Sequence, residues 1–301
     1  MASFIKDFTS AAAAERFNEM VEGSPALKVL GYMLGPERVL EYAHSVAVED
    51  PKLRSLVPPI PPHELRVIVA APEEPIFLWT GAVDANLFMG LFARHGAAPA
   101  RADVFDFGCG CGRLTRYLGA AERYRVFASD INPQLVTWCR DNLKQVDTRL
   151  NDARPPLPFD DRQFDFVYSL SIFTHLPEHL AKLWLGEIAR TLKPGGIFAF
   201  TTHGLMALDI VEASQAHRAM FAIAADQMEE IRRNFTQAGF AYLSYSPVAI
   251  DAAHAGDEYG NSFVAEARVR DHWIDKEIWE LAEFIPGGLR GWQDVVVLRR
   301  K

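Results

Sequence analysis

Apolar positions in this chain keep a helical rhythm up to about residue 98, then switch to strands alternating with helices. Ala26, Val29, Leu30 and Met33 recur at helical steps, as do Val39, Leu40 and Ala43, with Gly35-Pro36 interrupting. Ser55-Leu-Val-Pro-Pro-Ile-Pro-Pro is a connector that no helix can traverse, because proline lacks the amide donor and clashes with the preceding turn. A further helix is expected over 82–94, ending near Gly96. Residues 1–98 thus read as a helical cap region.

From residue 102 the spacing predicts strands at 102–107, 125–129, 164–170 and 197–202, with another strand ending at Arg149-Leu150. Helices are expected at 113–121, 133–145 and from Pro177, the last presenting Leu180, Leu183, Trp184, Ile188 and Leu192 on one stripe. Lys193-Pro-Gly-Gly should stop that helix. This alternation predicts an α/β domain over 99–301 with a mostly parallel sheet covered on both faces. Beyond Thr202, Met228, Ile231 and Phe235 share a helical face that Gly239 closes, 241–246 reads as a strand and 264–273 as a helix. Segments 278–284 and 294–298 flank Pro286-Gly-Gly as a terminal hairpin. Residues 205–260 are expected to be an insertion on the substrate side.

The bulk numbers change this picture little. A formal net charge of −8 over 301 residues argues against a broad phosphate-binding face, so no nucleic-acid partner is expected. Three cysteines, Cys109, Cys111 and Cys139, are too few for a secreted disulfide framework. The first residues lack a signal-like apolar run, and no stretch approaches about 20 uninterrupted apolar residues. A cytoplasmic location without a membrane partner is the expectation.

The chemistry concentrates at Asp106-Phe-Gly108-Cys109-Gly110-Cys-Gly112, directly after a strand and before a helix. Glycines let the chain turn sharply and let a ligand approach bare backbone, and the following helix offers free N–H groups. A dinucleotide turn would carry a further glycine where this chain has Arg113, and Asp106 supplies an acid able to accept from an ammonium group. An ammonium with a carboxylate describes an amino-acid moiety. Asp130, followed by Ile131, lies twenty positions after Gly110, where a ribose-binding acid is expected; helix capping is its alternative role. Asp152 and the N–H of Ala153 are candidates for an adenine edge, or else a solvated loop. Cys109 and Cys111 do not make a usual zinc set, so no metal is expected. His175 and His203 follow predicted strand ends and are candidate general bases, structural hydrogen-bonding residues being the alternative. His254 has no placed element, and Arg232-Arg233 reads as a solvated helix face.

Together, Asp106–Gly112, Asp130, Asp152, Phe164-Asp-Phe-Val-Tyr-Ser and Leu192-Lys-Pro-Gly-Gly resemble the ordered motifs of class I S-adenosylmethionine-dependent methyltransferases. The resemblance implies a Rossmann-like, seven-stranded sheet and S-adenosylmethionine as cofactor. Asp106, Gly108 and Gly110 would hold the methionine end, Asp130 the ribose, and Asp152 with Ala153 the adenine, with Cys109, Gly112 and Ile131 also cofactor-binding. Ser169 and Leu170 would edge the methyl-transfer site. Phe105-Asp-Phe-Gly-Cys-Gly-Cys-Gly-Arg and Gly291-Trp-Gln-Asp-Val-Val-Val-Leu resemble a bacterial branch associated with sugar or polysaccharide modification. Ser169-Leu-Ser-Ile lacks the Pro-Pro-aromatic run of enzymes that methylate exocyclic nitrogens of DNA bases. Cys139 follows Trp138 rather than the proline of cytosine-C5 enzymes, and no acidic pair ends the fourth strand. The expectation is metal-independent O-methylation of a small molecule or glycan. A cofactor-binding sensor or scaffold and a nicotinamide oxidoreductase are the alternatives.

Overall fold

The computed structural model describes residues 59–97, 99–118, 123–246 and 258–301. The helical pattern expected before residue 59, and His254, lie outside them. The chain divides into two compact units, Met1–Gly90 with Ala98–Leu150, and Leu91–Ala97 with Asn151–Lys301. The main sheet is seven-stranded and mixed.

In the first unit, α1 (His63–Ile68) and α2 (Glu74–His95, as far as Gly90) precede β1 (Ala102–Phe107), α3 (Thr115–Leu118), β2 (Tyr124–Asp130), α4 (Pro133–Asn142) and β3 (Val146–Leu150). The strands run β3-β2-β1 and pair in parallel. All six residues of β1 are buried, as a strand covered on both faces requires. The acid Asp103 is accommodated there because Arg125, its register partner on β2, bonds its carboxylate at 2.5 and 2.6 Å. Helix α4 starts where the sequence dictates: Pro133 pre-sets the first turn, and Asn132 Oδ1 accepts from the N–H groups of Gln134 and Leu135.

Helix α2 begins earlier than the expected residue 82. Its segment Ile76–His95 is long and apolar enough, by length and composition alone, to cross a membrane. Burial of Phe77, Leu78, Ala85 and Phe88, and of Asp84 against Arg113 at 2.8 Å, identifies it as a core helix.

The second unit carries β4 (Phe164–Ser169), α5 (Glu178–Thr191), β5 (Leu192–Thr202), α6 (Leu205–Ala213), α7 (Gln215–Met220) and α8 (Ala225–Ala238). After these come β6 (Phe240–Ser244), β7 (Gly260–Val264), a helical segment at 266–273, β8 (Trp279–Leu289) and β9 (Gln293–Arg300). Strands β4 and β5 are parallel, and β9 runs antiparallel to both β5 and β8, which is the expected terminal hairpin. Strands β6 and β7 form a separate antiparallel pair. The described residues of the stretch expected as an insertion supply α6, α7, α8 and β6, and Leu208, Val211, Phe221, Met228, Ile231 and Phe235 share a core with Phe263 of β7.

Three expectations need correction. Leu183, assigned to the buried stripe of α5, is 48% exposed, while Leu180, Trp184 and Ile188 are buried. Strand β5 starts at Leu192, five residues before Ile197, because Lys193-Pro-Gly-Gly bulges out: Phe164 pairs with Leu192 and Phe166 with Ile197. The helix read over 264–273 begins only at Glu266, and it ends in a π-turn over Val269–Trp273.

Candidate functional site

The first unit builds a tight turn at the carboxyl end of β1. Gly108, Gly110 and Gly112 all take left-handed φ, at +83°, +57° and +77°. A Cβ on Gly112 would stand 2.5 Å from Leu143 Cδ1, so glycine there lets the turn pack onto the end of α4. The N–H groups of Gly108 and Cys109 both donate to the Ser129 carbonyl at 2.9 Å, which fastens the turn to β2. Asp106 pairs with Ala128 in register, and side chains alternate along a strand, so Asp106 and Asp130 project from the same face. Asp106 is buried and accepts from Thr115 Oγ1 at 2.5 Å.

Asp130 is also buried. Its Oδ2 accepts from the Gly110 N–H at 2.8 Å and its Oδ1 from the Asn132 N–H at 2.9 Å. Burial raises its pKa, against which the backbone donors of Asn132 and Gly110 pull downward. Capping of α4 falls to Asn132 rather than Asp130. Each carboxylate oxygen retains lone-pair capacity beyond one backbone donor, which suits an acceptor for hydroxyl groups.

The cysteines pack as small apolar residues. All three are buried free thiols. Cys109 and Cys139 direct their Sγ atoms at the Gly110 carbonyl, at 3.5 and 3.4 Å. Hydrogen bonding with Cys139 and burial raise the Cys109 pKa, and burial pushes the Cys111 thiol up to about 12. Such thiols are inert. No cluster of metal-ligating side chains occurs among the described residues. Arg113 reaches away from the turn to bond Thr80 Oγ1 at 2.9 Å and Asp84 at 2.8 Å, locking the turn to α2.

The chemistry of this turn is compatible with the ribose and amino-acid ends of S-adenosylmethionine. Beside Asp130, Ser129 Oγ and Asn132 Nδ2 are buried with no partner among the described residues. A buried acid flanked by orphaned polar groups, next to bare glycine backbone, is the donor and acceptor set that a ribose requires. Sequence reasoning missed the segment that packs on this turn. Leu65 and Ala71 share a core with Cys111 and Leu135, the Leu65 carbonyl accepts from Cys111 Sγ, and Val69 lies against Gly110.

In the second unit, Asp152 is exposed, Ala153 is half-buried, and Asn151 between them and β3 is buried with Oδ1 lacking a partner among the described residues. Ser169 ends β4 fully buried, followed by the half-buried Leu170. The two histidines of the sequence reading come together here, their rings 6.3 Å apart and edge-on. His203 follows β5, is 2% exposed, and is walled by Phe221, Phe263 and Trp292. Its Nε2 faces the Gln293 amide nitrogen at 3.5 Å, and Gln293 in turn bonds Ser171 Oγ at 2.9 Å. Burial depresses its pKa to about 3, with His175 adding to the effect.

His175 is half-buried and stacks on Tyr259 at 4.7 Å. Its Nδ1 lies 2.8 Å from the Gly260 carbonyl and 3.3 Å from the Tyr245 hydroxyl. Burial lowers its pKa to about 4, which the bond to Gly260 partly opposes. Both imidazoles are therefore neutral at pH 7. Tyr245, Gly260, Asn261 and Gln293 had no local signal in the sequence, because only the return of β7 and β9 brings them to the histidines.

Residues 105–200 match the Methyltransferase domain family. A fatty-acid O-methyltransferase of Mycolicibacterium smegmatis is 34% identical over 101 residues, covering 33% of this chain and 36% of that protein. A malonyl-[acyl-carrier protein] O-methyltransferase of Pectobacterium atrosepticum is 33% identical over 106 residues, covering 33% of this chain and 38% of that protein. The similarity thus spans little more than a third of either relative. Among solved structures, a SAM-dependent methyltransferase from Methanosarcina mazei aligns over 70% of this chain and 96% of its own, at 16% identity and a TM-score of 0.47.

Proposed function

We propose, on the premise that residues 105–200 are a class I S-adenosylmethionine-dependent methyltransferase domain, that this chain methylates a hydroxyl oxygen of a small molecule or glycan. One observation carries the cofactor half of this reading. The β1–β2 register sets Asp106 and Asp130 on one face, joined by a turn whose glycines carry left-handed φ and whose Gly110 N–H is bonded to Asp130. Asp106 with Gly108 and Gly110 holds the methionine end, and Cys109, Gly112 and Ile131 also bind the cofactor. Asp130 holds the ribose, Asp152 and Ala153 the adenine, and Ser169 and Leu170 border the transfer site.

When bound, S-adenosylmethionine supplies a sulfonium methyl already activated for direct displacement. The protein's task is alignment, exclusion of water and acceptance of the acceptor's proton. His175 suits the last of these. Its Nδ1 hydrogen is committed to the Gly260 carbonyl, which leaves a lone pair on Nε2. His203 is less suited, since its Nε2 lone pair faces the Gln293 amide and its ring is enclosed. A low-pKa base is adequate here, because a hydroxyl oxygen that is gaining a methyl group becomes strongly acidic as the bond forms.

The relatives are named for fatty acids and malonyl-[acyl-carrier protein], both carboxyl-bearing. In this chain the groups touching His175 and His203 among the described residues are carbonyls, hydroxyls, an amide and aromatic rings, with no lysine or arginine. Arg154 is paired with Glu258, the residue before Tyr259. Among the described residues these neutral groups favour an uncharged acceptor over a carboxylate. Titration calorimetry with the demethylated cofactor, followed by transfer of an isotope-labelled methyl to hydroxyl-bearing and carboxyl-bearing pools, tests both halves. Failure to bind would remove the cofactor assignment. Exclusive labelling of carboxylates would remove the acceptor assignment.

A further inference from the structure

The side chains behind His175 form a chain of hydrogen bonds whose polarity is fixed at both ends by backbone carbonyls. At one end, the Phe221 carbonyl can only accept, so the Asn261 group facing it at 2.7 Å is the Nδ2 amide. Asn261 therefore presents Oδ1 to the Tyr245 hydroxyl, at 2.7 Å, and Tyr245 must donate there. With its single hydrogen so used, Tyr245 turns a lone pair toward His175 Nδ1, 3.3 Å away. At the other end the Gly260 carbonyl, 2.8 Å from the same Nδ1, can again only accept. Both neighbours of Nδ1 are acceptors, so Nδ1 carries the hydrogen and Nε2 is bare.

We propose that Asn261 and Tyr245 are positioning residues that hold His175 in the Nδ1–H tautomer, keeping Nε2 as the proton acceptor for methyl transfer. This rests on the reading of His175 as the base. Asn261 is 1% exposed, so its amide is shielded from bulk solvent, and its orientation is set by the bond to the Phe221 carbonyl. Asn261 and Gly260 begin β7 and Tyr245 directly follows β6, so the small sheet delivers the whole relay to the loop after β4. The Gly260 N–H also donates to the His175 carbonyl at 3.0 Å, which ties the histidine backbone to the strand that orients its ring. Other ionisable groups facing the ring are His203 and Tyr259.

The arrangement makes an unusual demand. Removing the Asn261 acceptor should harm His175 only while Tyr245 keeps its hydroxyl, because the freed phenol hydrogen then competes for Nδ1. Nitrogen-15 NMR of the full chain, labelled at histidine, reads the tautomer directly without turnover. Wild type should show His175 protonated at Nδ1 and unprotonated at Nε2 at pH 7. In Asn261→Leu the Nε2–H tautomer should appear, with kcat for methyl transfer falling about tenfold and the KM for cofactor unchanged. Adding Tyr245→Phe to Asn261→Leu should return the spectrum to the Nδ1–H form. Near-ultraviolet circular dichroism checks that each variant folds. An Nε2–H tautomer in wild type, or an unaltered tautomer in Asn261→Leu, overturns the relay. Should the tautomer shift as expected while turnover stays constant, the relay stands and it is His175 as base that fails.

Discussion

Gly110 donates its backbone N–H to Asp130 Oδ2 at 2.8 Å, across twenty residues of sequence. The bond joins the centre of the glycine turn to the acid that ends β2, so the two parts of the proposed cofactor cradle are one mechanical piece. It also accounts for the burial of a carboxylate whose pKa burial raises, since two backbone donors compensate for lost water.

Asp130→Ala should weaken binding of S-adenosylmethionine by about ten- to a hundredfold, the value of one charge-assisted hydrogen bond or slightly more. Part of that loss comes through the turn, because Gly110 loses its acceptor as well. Calorimetry gives the affinity, and a thermal melt separates lost binding from lost fold. Unchanged affinity would place the ribose elsewhere.

Arg113 stands where a dinucleotide turn carries glycine, and it bonds an Asp84 side chain with no solvent exposure. Removing one member of a buried pair strands the other charge. Arg113→Leu should therefore lower unfolding free energy by roughly 3 kcal/mol. The double variant Arg113→Leu with Asp84→Leu should recover a substantial part of that in chemical denaturation. Additive losses would mean that the pair is not coupled.

Much of this was readable in the chain. Strand β1 falls on the expected 102–107, and Met228, Ile231 and Phe235 form the buried face of α8, because both patterns are local and periodic. The end of α5 was legible for the same reason, yet Lys193-Pro-Gly-Gly, expected to stop that helix, is also absorbed as a bulge in β5. Asp130 and the glycines announced themselves by spacing. Asn261 and Tyr245 did not, since their value to His175 arises from the pairing of β6 with β7, and no spacing in the sequence encodes that register. Leu183 shows the opposite failure: it fits the stripe by period but lies at its edge, and the flanking contacts decide its exposure.

His175 and His203 also set a pH dependence of stability. Both folded pKa values, about 4 and about 3, lie below the 6.5 of the free side chain. The unfolded chain therefore binds protons first as pH falls, so their contribution to stability is complete above about 6.5 and is lost progressively toward 4 for His175 and 3 for His203. His203→Phe should flatten the acid limb of a stability profile between pH 6 and 4, roughly, relative to wild type. The same shifts predict kcat with no histidine inflection near pH 6.5, since the base stays neutral across that range. An inflection there would mean that His175 titrates as a solvated imidazole.

Gly110 meets two separate constraints, and a double mutant can part them. Its φ of +57° disfavours any Cβ, and that Cβ would also lie 2.5 Å from Val69 Cγ1. Backbone strain in this region amounts to about 1–2 kcal/mol for alanine, and it persists whatever the neighbour does. The clash with Val69 is with a side chain and disappears if that side chain is cut back. Gly110→Ala should thus be destabilising alone, and Val69→Ala in the same chain should relieve it, giving a coupling energy of about 1 kcal/mol or more in a denaturation cycle. Strict additivity would mean that the segment after α1 does not rest on the glycine turn in solution. A measured coupling would make Val69 part of the cradle's outer wall, and cofactor affinity should then fall in Val69→Ala as well.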